Sequence, residues 1–154
     1  MTWQHVSPGR LLSQGGVGMA YLFPSDEWVK ELMRVLNNSE SYAQAAKKWE
    51  GDCFFVVEPE GAQSKPVNLW LDLWHGECRA ARAVPDGEAM EPAFRFAGPG
   101  SVYRKIFEGK VDPIKALMTR QLKLSGNMNV IMRSPKAAQE LVACAAQVET
   151  SYPE

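Results

Sequence analysis

Apolar positions change period along this chain, from helical to alternating and back. Between Phe23 and Gly51 they recur at helical spacing. Ser25 is a good N-cap, Asp26 and Glu27 suit the positive end of a helix dipole, and Trp28, Leu32, Met33 and Leu36 then share a stripe. A second helix follows Ser39, with Tyr42, Ala45, Ala46 and Trp49 inward and Gly51 closing it. From Asp52 the period becomes two. "CFFVVE" is short, apolar and β-branched, and "VNLWLDLW" alternates, with Val67, Leu69, Leu71 and Leu73 on one face and Asn68, Trp70, Asp72 and Trp74 on the other. His75-Gly76 predicts a tight hairpin turn into "ECRAARAV". "AFRFAG" sets Phe94 and Phe96 against Arg95, and "QLKLS" sets Leu122 and Leu124 against Gln121 and Lys123. Five strands with one apolar face need a layer of helices to cover it.

The carboxy-terminal half supplies that cover. Ser101 to Glu108 reads as a short helix burying Val102, Ile106 and Phe107, with Gly109 ending it. Asp112-Pro113 is a cap followed by a proline in the first turn, opening a helix with Ile114, Leu117 and Met118. Asn127 can cap one further turn carrying Met128, Ile131 and Met132. Ser134-Pro135 repeats the cap-and-proline start, with Leu141, Val142, Ala145 and Val148 inward.

The first 22 residues lack any period and are rich in Gly and Ser, so residues 1–22 are expected to be a flexible extension and 23–150 a single domain. Gly16 and Gly18 do not make a dinucleotide fingerprint, because Tyr21 stands where a third glycine belongs and no strand precedes them. At 154 residues the chain is long enough for one self-sufficient core. A net charge of −1 argues against a general nucleic-acid binder. Cys53, Cys78 and Cys144 are odd in number and far apart, which predicts buried thiols in a reducing compartment rather than zinc or disulfides. Without a signal-peptide segment or a membrane-length apolar run, a cytoplasmic location is expected.

Catalytic motifs are sparse. His5 lies in the extension and His75 in a turn; no nucleophile elbow or zinc-spaced histidine pair occurs, and no cofactor is expected. Asp72, between two tryptophans, is the one carboxylate in an unusual setting, and an acyl hydrolase or isomerase using it is the enzymatic alternative. An ordinary outer-face carboxylate is the simpler reading. The other feature is apolar. Met118, Met128 and Met132 gather around the Leu122–Leu124 strand beside Gly126, and methionine packs against surfaces of variable shape. Core filling and a cavity for an apolar ligand are both compatible with that cluster. Arg104, Lys105, Lys110, Lys115, Arg120, Lys123, Arg133 and Lys136 outnumber Glu108 and Asp112 across the same region. Such a basic rim suits an amphiphile with an anionic head, or transient contact with an anionic membrane; solvated helix faces are the plainer account.

These residues also carry a resemblance. "FEGKVDPIKALMTRQLKLSGNMNVIMR" resembles the carboxy-terminal signature of the sterol carrier protein 2 family: a short helix, Gly-Lys, a helix, a strand of the type K-L-K-I-K-G, then Asn-Met and a further helix. The matching positions are Gly109, Lys110, Leu122, Lys123, Leu124, Gly126, Asn127 and Met128, and "WHGECRAAR" fits the family's second hairpin. Two positions depart from the pattern. Ser125 stands where a basic residue is usual, and "SYPE" replaces a Ser-Lys-Leu type of address.

The resemblance implies an α+β fold, a five-stranded, largely antiparallel sheet covered by helices on one face, with an apolar tunnel between the layers. It also implies a non-enzymatic protein that binds, and in some members transfers, a long-chain cargo: fatty acid, fatty acyl-CoA, sterol or phospholipid. Phe94, Phe96, Val102, Ile106, Ile114, Met118, Leu122, Met128, Met132 and Leu141 are then expected to enclose one cavity of roughly 300–1,000 Å³. A protein-interaction module of the same fold is the other alternative. Trp70 and Trp74 are expected on the opposite sheet face, as an apolar patch suited to a homodimer.

Overall fold

The alternating middle of the chain folds into one sheet. In the computed structural model, which describes residues 10–12, 19–61 and 64–152, β1 (Arg10–Leu12) and β2 (Met19–Leu22) precede α1 (Asp26–Asn37) and α2 (Glu40–Ala45). β3 (Cys53–Glu58), β4 (Val67–Trp74), β5 (Glu77–Val84) and β6 (Phe94–Pro99) follow. Then come α3 (Gly100–Phe107), α4 (Pro113–Met118), β7 (Lys123–Ser125), α5 (Met128–Met132), α6 (Pro135–Gln147) and β8 (Thr150–Ser151). The main sheet runs β5-β4-β3-β6-β7, antiparallel at every pairing except β3 with β6. All five strands read from the alternation are present.

Local chemistry explains the joints. His75 (φ 48°) and Gly76 (φ 83°) both take the left-handed conformation that a two-residue hairpin turn between β4 and β5 requires. Ser25 and Ser39 accept from the backbone N–H of Trp28 and Tyr42, at 3.0 and 3.1 Å, and so cap α1 and α2. Along the sheet's edge strand β5, α1 supplies partners for exposed backbone. Asp26 Oδ1 accepts from Ala83 N–H at 2.8 Å, and Asn37 exchanges two bonds with Cys78 (2.8 and 2.9 Å), so this edge is closed to further strands.

Inward residues pair in rows: Cys53 with Leu71 and Phe94, Phe55 with Leu69 and Phe96. The helices pack on that face, and Phe23, Trp28, Tyr103 and Phe107 form an aromatic knot beside it. On the outer face, Arg82, Trp70, Phe54 and Arg95 form one cross-strand row. The segment 85–93 crosses over this row, because Met90 is bonded at both ends: Arg82 Nη2 donates to its Sδ (3.5 Å) and Arg95 Nη2 to its carbonyl (3.0 Å).

Of the extension expected over residues 1–22, residues 1–9 and 13–18 lie outside the described residues, as does His5. Arg10–Leu12 and Met19–Leu22 are strands, and β2 pairs antiparallel with β1 and parallel with β8 in a second small sheet. No local period announces that sheet. Its strands are two to four residues long, and β2 finds one of its partners more than a hundred positions away.

Candidate functional site

Three of the helices over the sheet, α2, α4 and α5, are only five or six residues long. Short rods joined by turns cannot close-pack along a continuous surface, and α6 lines the space partly with the small Ala137 and Ala138. A cavity of about 90 Å³ remains between the layers. The expected 300–1,000 Å³ is therefore an overestimate for this conformation.

Sheet residues Cys53, Phe55, Leu73, Phe96 and Leu122 form the floor. Tyr42, Tyr103, Ile106, Ile114, Leu117 and Ile131 form much of the roof, and Leu141 and Val142 complete the α6 side. The end at Tyr42, Cys53 and Leu73 is shut, since each is at most 2 % exposed. The open end lies at Pro113, Ile114, Ser134, Ala138 and Leu141, all half-buried. Across it, Gln139 Nε2 of α6 donates to Asp112 Oδ2 at 3.3 Å. Asp112 Oδ1 meanwhile caps α4 by accepting from Ile114 and Lys115 N–H (2.8 and 3.2 Å).

Of the residues expected to enclose the space, Phe96, Ile106, Ile114, Leu122 and Leu141 line it. Phe94, Val102, Met118, Met128 and Met132 are not among the lining residues. Phe94 is buried just behind, its ring 5.1 Å from that of Trp49. Val102 lies half-buried on α3, and Tyr103 takes the inward position instead. Met118, Met128 and Met132 are 66 %, 39 % and 41 % exposed. Each adjoins or lies one turn from a lining residue (Leu117 or Ile131), so the flexible side chains sit outside the wall that those neighbours form.

Gly126 acts through close approach rather than as a hinge. At φ 135° a Cβ there would meet Ala93 O at 2.7 Å and Phe94 Cδ1 at 2.8 Å. Tyr42 and Leu73 were placed inward by periodicity, whereas Cys53, Phe55, Tyr103, Ala137 and Ala138 are lining residues that it did not single out. Their signal was present: alternate residues of "CFFVVE" and a pair of alanines one turn before Leu141 and Val142.

No lining residue is an acid, a base or a cation. Burial pushes the Cys53 thiol and the Tyr42 and Tyr103 hydroxyls well above their ordinary values, and it pushes Cys78 up to about 12, so all stay protonated. The Tyr103 hydroxyl bonds to the carbonyls of Phe96 (2.8 Å) and Val56 (3.2 Å). Asp72 faces away from the cavity and takes two 3.1 Å bonds from Arg79. His75 Nε2 meets Glu50 Oε2 at 2.7 Å in solvent. Among the described residues, no cluster of three His, Cys, Asp or Glu could hold a metal, and no helix is long and apolar enough to cross a membrane.

Around the open end the charge is positive. Arg104 and Lys110 pair with Glu108, and Lys136 with Glu140. Among the described residues Lys105, Lys115, Arg120, Lys123 and Arg133 have no carboxylate within ion-pair distance. On the far face Trp70 lies under Arg82 and donates to Asp52 Oδ2 (2.8 Å), while Trp74, 37 % exposed, stacks against His75 and under Arg79.

Comparison with known proteins agrees with this architecture. The profile of the SCP-2 sterol transfer family matches residues 29–139. A crystal structure of sterol carrier protein 2 is similar with a TM-score of 0.75 and 38 % identity, over 80 % of this chain and 97 % of that one. A solution structure from Thermus thermophilus, a conserved hypothetical protein described as a candidate sterol carrier protein, gives 0.74 and 38 % over 81 % and 88 %. Apo sterol carrier protein 2 from Yarrowia lipolytica shares the fold at 0.51, with 16 % identity over 77 % and 88 %. No curated protein sequence gives a significant match.

Proposed function

The chain belongs to the SCP-2 sterol transfer family, and on that premise we propose that it binds one long-chain lipid with its apolar part in the cavity and releases it unchanged. Fatty acid, fatty acyl-CoA, sterol and phospholipid are the candidate classes. One observation carries the reading: the lining is uncharged throughout, while the open end is flanked by unpaired cations. An ionised head inside would have no partner, and desolvating it costs several kcal/mol or more. At the mouth, water and Lys115, Arg120 or Arg133 would meet it. Seating a whole chain requires α4 and α5 to move outward, and the Asp112–Gln139 bond is a light tie between α4 and α6.

The exposed Met118, Met128 and Met132 among those cations also suit transient contact with an anionic membrane, where cargo would be collected or delivered. Free, buried Cys53, Cys78 and Cys144 fit a reducing compartment such as the cytoplasm. Native mass spectrometry of freshly purified protein should show a co-purifying lipid, and a fluorescent fatty acid should bind saturably. Turnover of an acyl-CoA or lipid panel that disappears in Asp72→Asn would overturn the reading in favour of an enzyme.

A further inference from the structure

Two tyrosines reach the cavity from the helix side, and their hydroxyls are treated differently. Tyr103 donates to backbone carbonyls. Tyr42 is just as inaccessible, at 2 % exposed, yet among the described residues its hydroxyl makes no hydrogen bond. It stands at the shut end, with Cys53 and Leu73. A buried polar group without a partner is uncommon and costs stability, because it has given up water for nothing. The Trp49 indole N–H, which also lines the cavity, is already bonded to Gly51 O at 2.9 Å. Burial raises the Tyr42 hydroxyl, so it remains a donor at any physiological pH.

Resting on the lipid-binding reading above, we propose that Tyr42 is a specificity-determining residue: its hydroxyl receives an uncharged oxygen, hydroxyl or carbonyl, carried at the leading end of the bound chain. The lining excludes a carboxylate or phosphate at that position, since no cation or free backbone-like donor array accompanies Tyr42. The cargo is thus a lipid with two polar ends of different kinds. Its ionic end stays at the cationic mouth, and its neutral oxygen goes in first. A plain alkyl chain would leave the Tyr42 hydroxyl unsatisfied, which a site built to hydrogen-bond penalises.

The test compares 16-hydroxyhexadecanoate with heptadecanoate, which matches it in chain length, by isothermal titration against the full chain and Tyr42→Phe. The wild type should bind the hydroxy acid about three- to tenfold more tightly, as one net hydrogen bond implies. Tyr42→Phe should bind both equally. In the free protein Tyr42→Phe should melt at or above the wild-type temperature, because it removes an unpartnered group, whereas Tyr103→Phe should melt lower. Equal wild-type affinities, a preference that persists in Tyr42→Phe, or a less stable Tyr42→Phe would each overturn the assignment. If neither acid binds the wild type, the lipid-binding reading itself falls.

Discussion

Ala138→Phe tests the cavity most directly. Ala138 lines the open end from α6, half-buried, beside Leu141 and Val142. A space of about 90 Å³ is room for roughly three water molecules at about 30 Å³ each. A phenyl ring placed there fills much of it. In a close-packed core the same substitution overpacks and costs about 1–3 kcal/mol. Here burial of the ring returns roughly 1.5–3 kcal/mol, offset by about 1 kcal/mol of lost rotamer freedom and lower helix propensity. The expected stability is roughly 0.5–2 kcal/mol above wild type, a rise of up to about 8 °C for a chain of this size. The ligand, by contrast, loses the space for about three methylenes, worth about 2.4 kcal/mol or roughly fiftyfold in affinity. Urea unfolding and titration with a fluorescent fatty acid read the two quantities on one sample. Met118→Trp serves as the comparison: at 66 % exposed it should leave both nearly unchanged. A loss of more than about 2 kcal/mol in Ala138→Phe with wild-type affinity would return this region to ordinary core and refute the reasoning.

Further outcomes follow from single sites. Gly126→Ala should lose about 1–3 kcal/mol in urea unfolding, since its φ of 135° is strained for any other residue and its Cβ would strike the Ala93 carbonyl. At Asp26, burial raises the carboxyl, but Lys30 and the Ala83 amide more than compensate and hold it below its ordinary value. Its folded pKa is depressed, so the stability it contributes is present above about pH 4 and is lost as pH falls through the folded value; Asp26→Asn should flatten that part of the pH–melting profile. Neutralising Lys115, Arg120, Lys123 and Arg133 to Gln should weaken sedimentation with anionic vesicles at least tenfold, at about 1 kcal/mol per charge near the surface. Vesicle binding that is unchanged in the quadruple variant would remove the membrane contact from the mouth.

Much of this fold is decided within a few residues of chain. Alternation in "VNLWLDLW", the His75-Gly76 turn, the serine caps at 25 and 39 and the Asp112-Pro113 start depend on local sterics and on orphan backbone groups, so they are legible without a partner element. The resemblance around Lys110–Met128 is legible for the same reason, since it is an ordered series of such local devices. What lay beyond reach involves partners distant in sequence. The β1-β2-β8 sheet joins Tyr21 to Thr150. The edge of β5 is closed by Asp26 and Asn37. The cavity wall is the sharpest case. Periodicity places Leu117 and Met118, or Ile131 and Met132, on adjoining helical positions, but a five- or six-residue helix can present either one inward, and only its docking against α6 selects. That docking puts the branched residues on the lining and leaves the methionines in solvent. It also leaves one tyrosine hydroxyl bonded and the other open, a distinction that no pattern along the chain can carry, because a hydrogen bond depends on which backbone carbonyls the tertiary fold brings within reach.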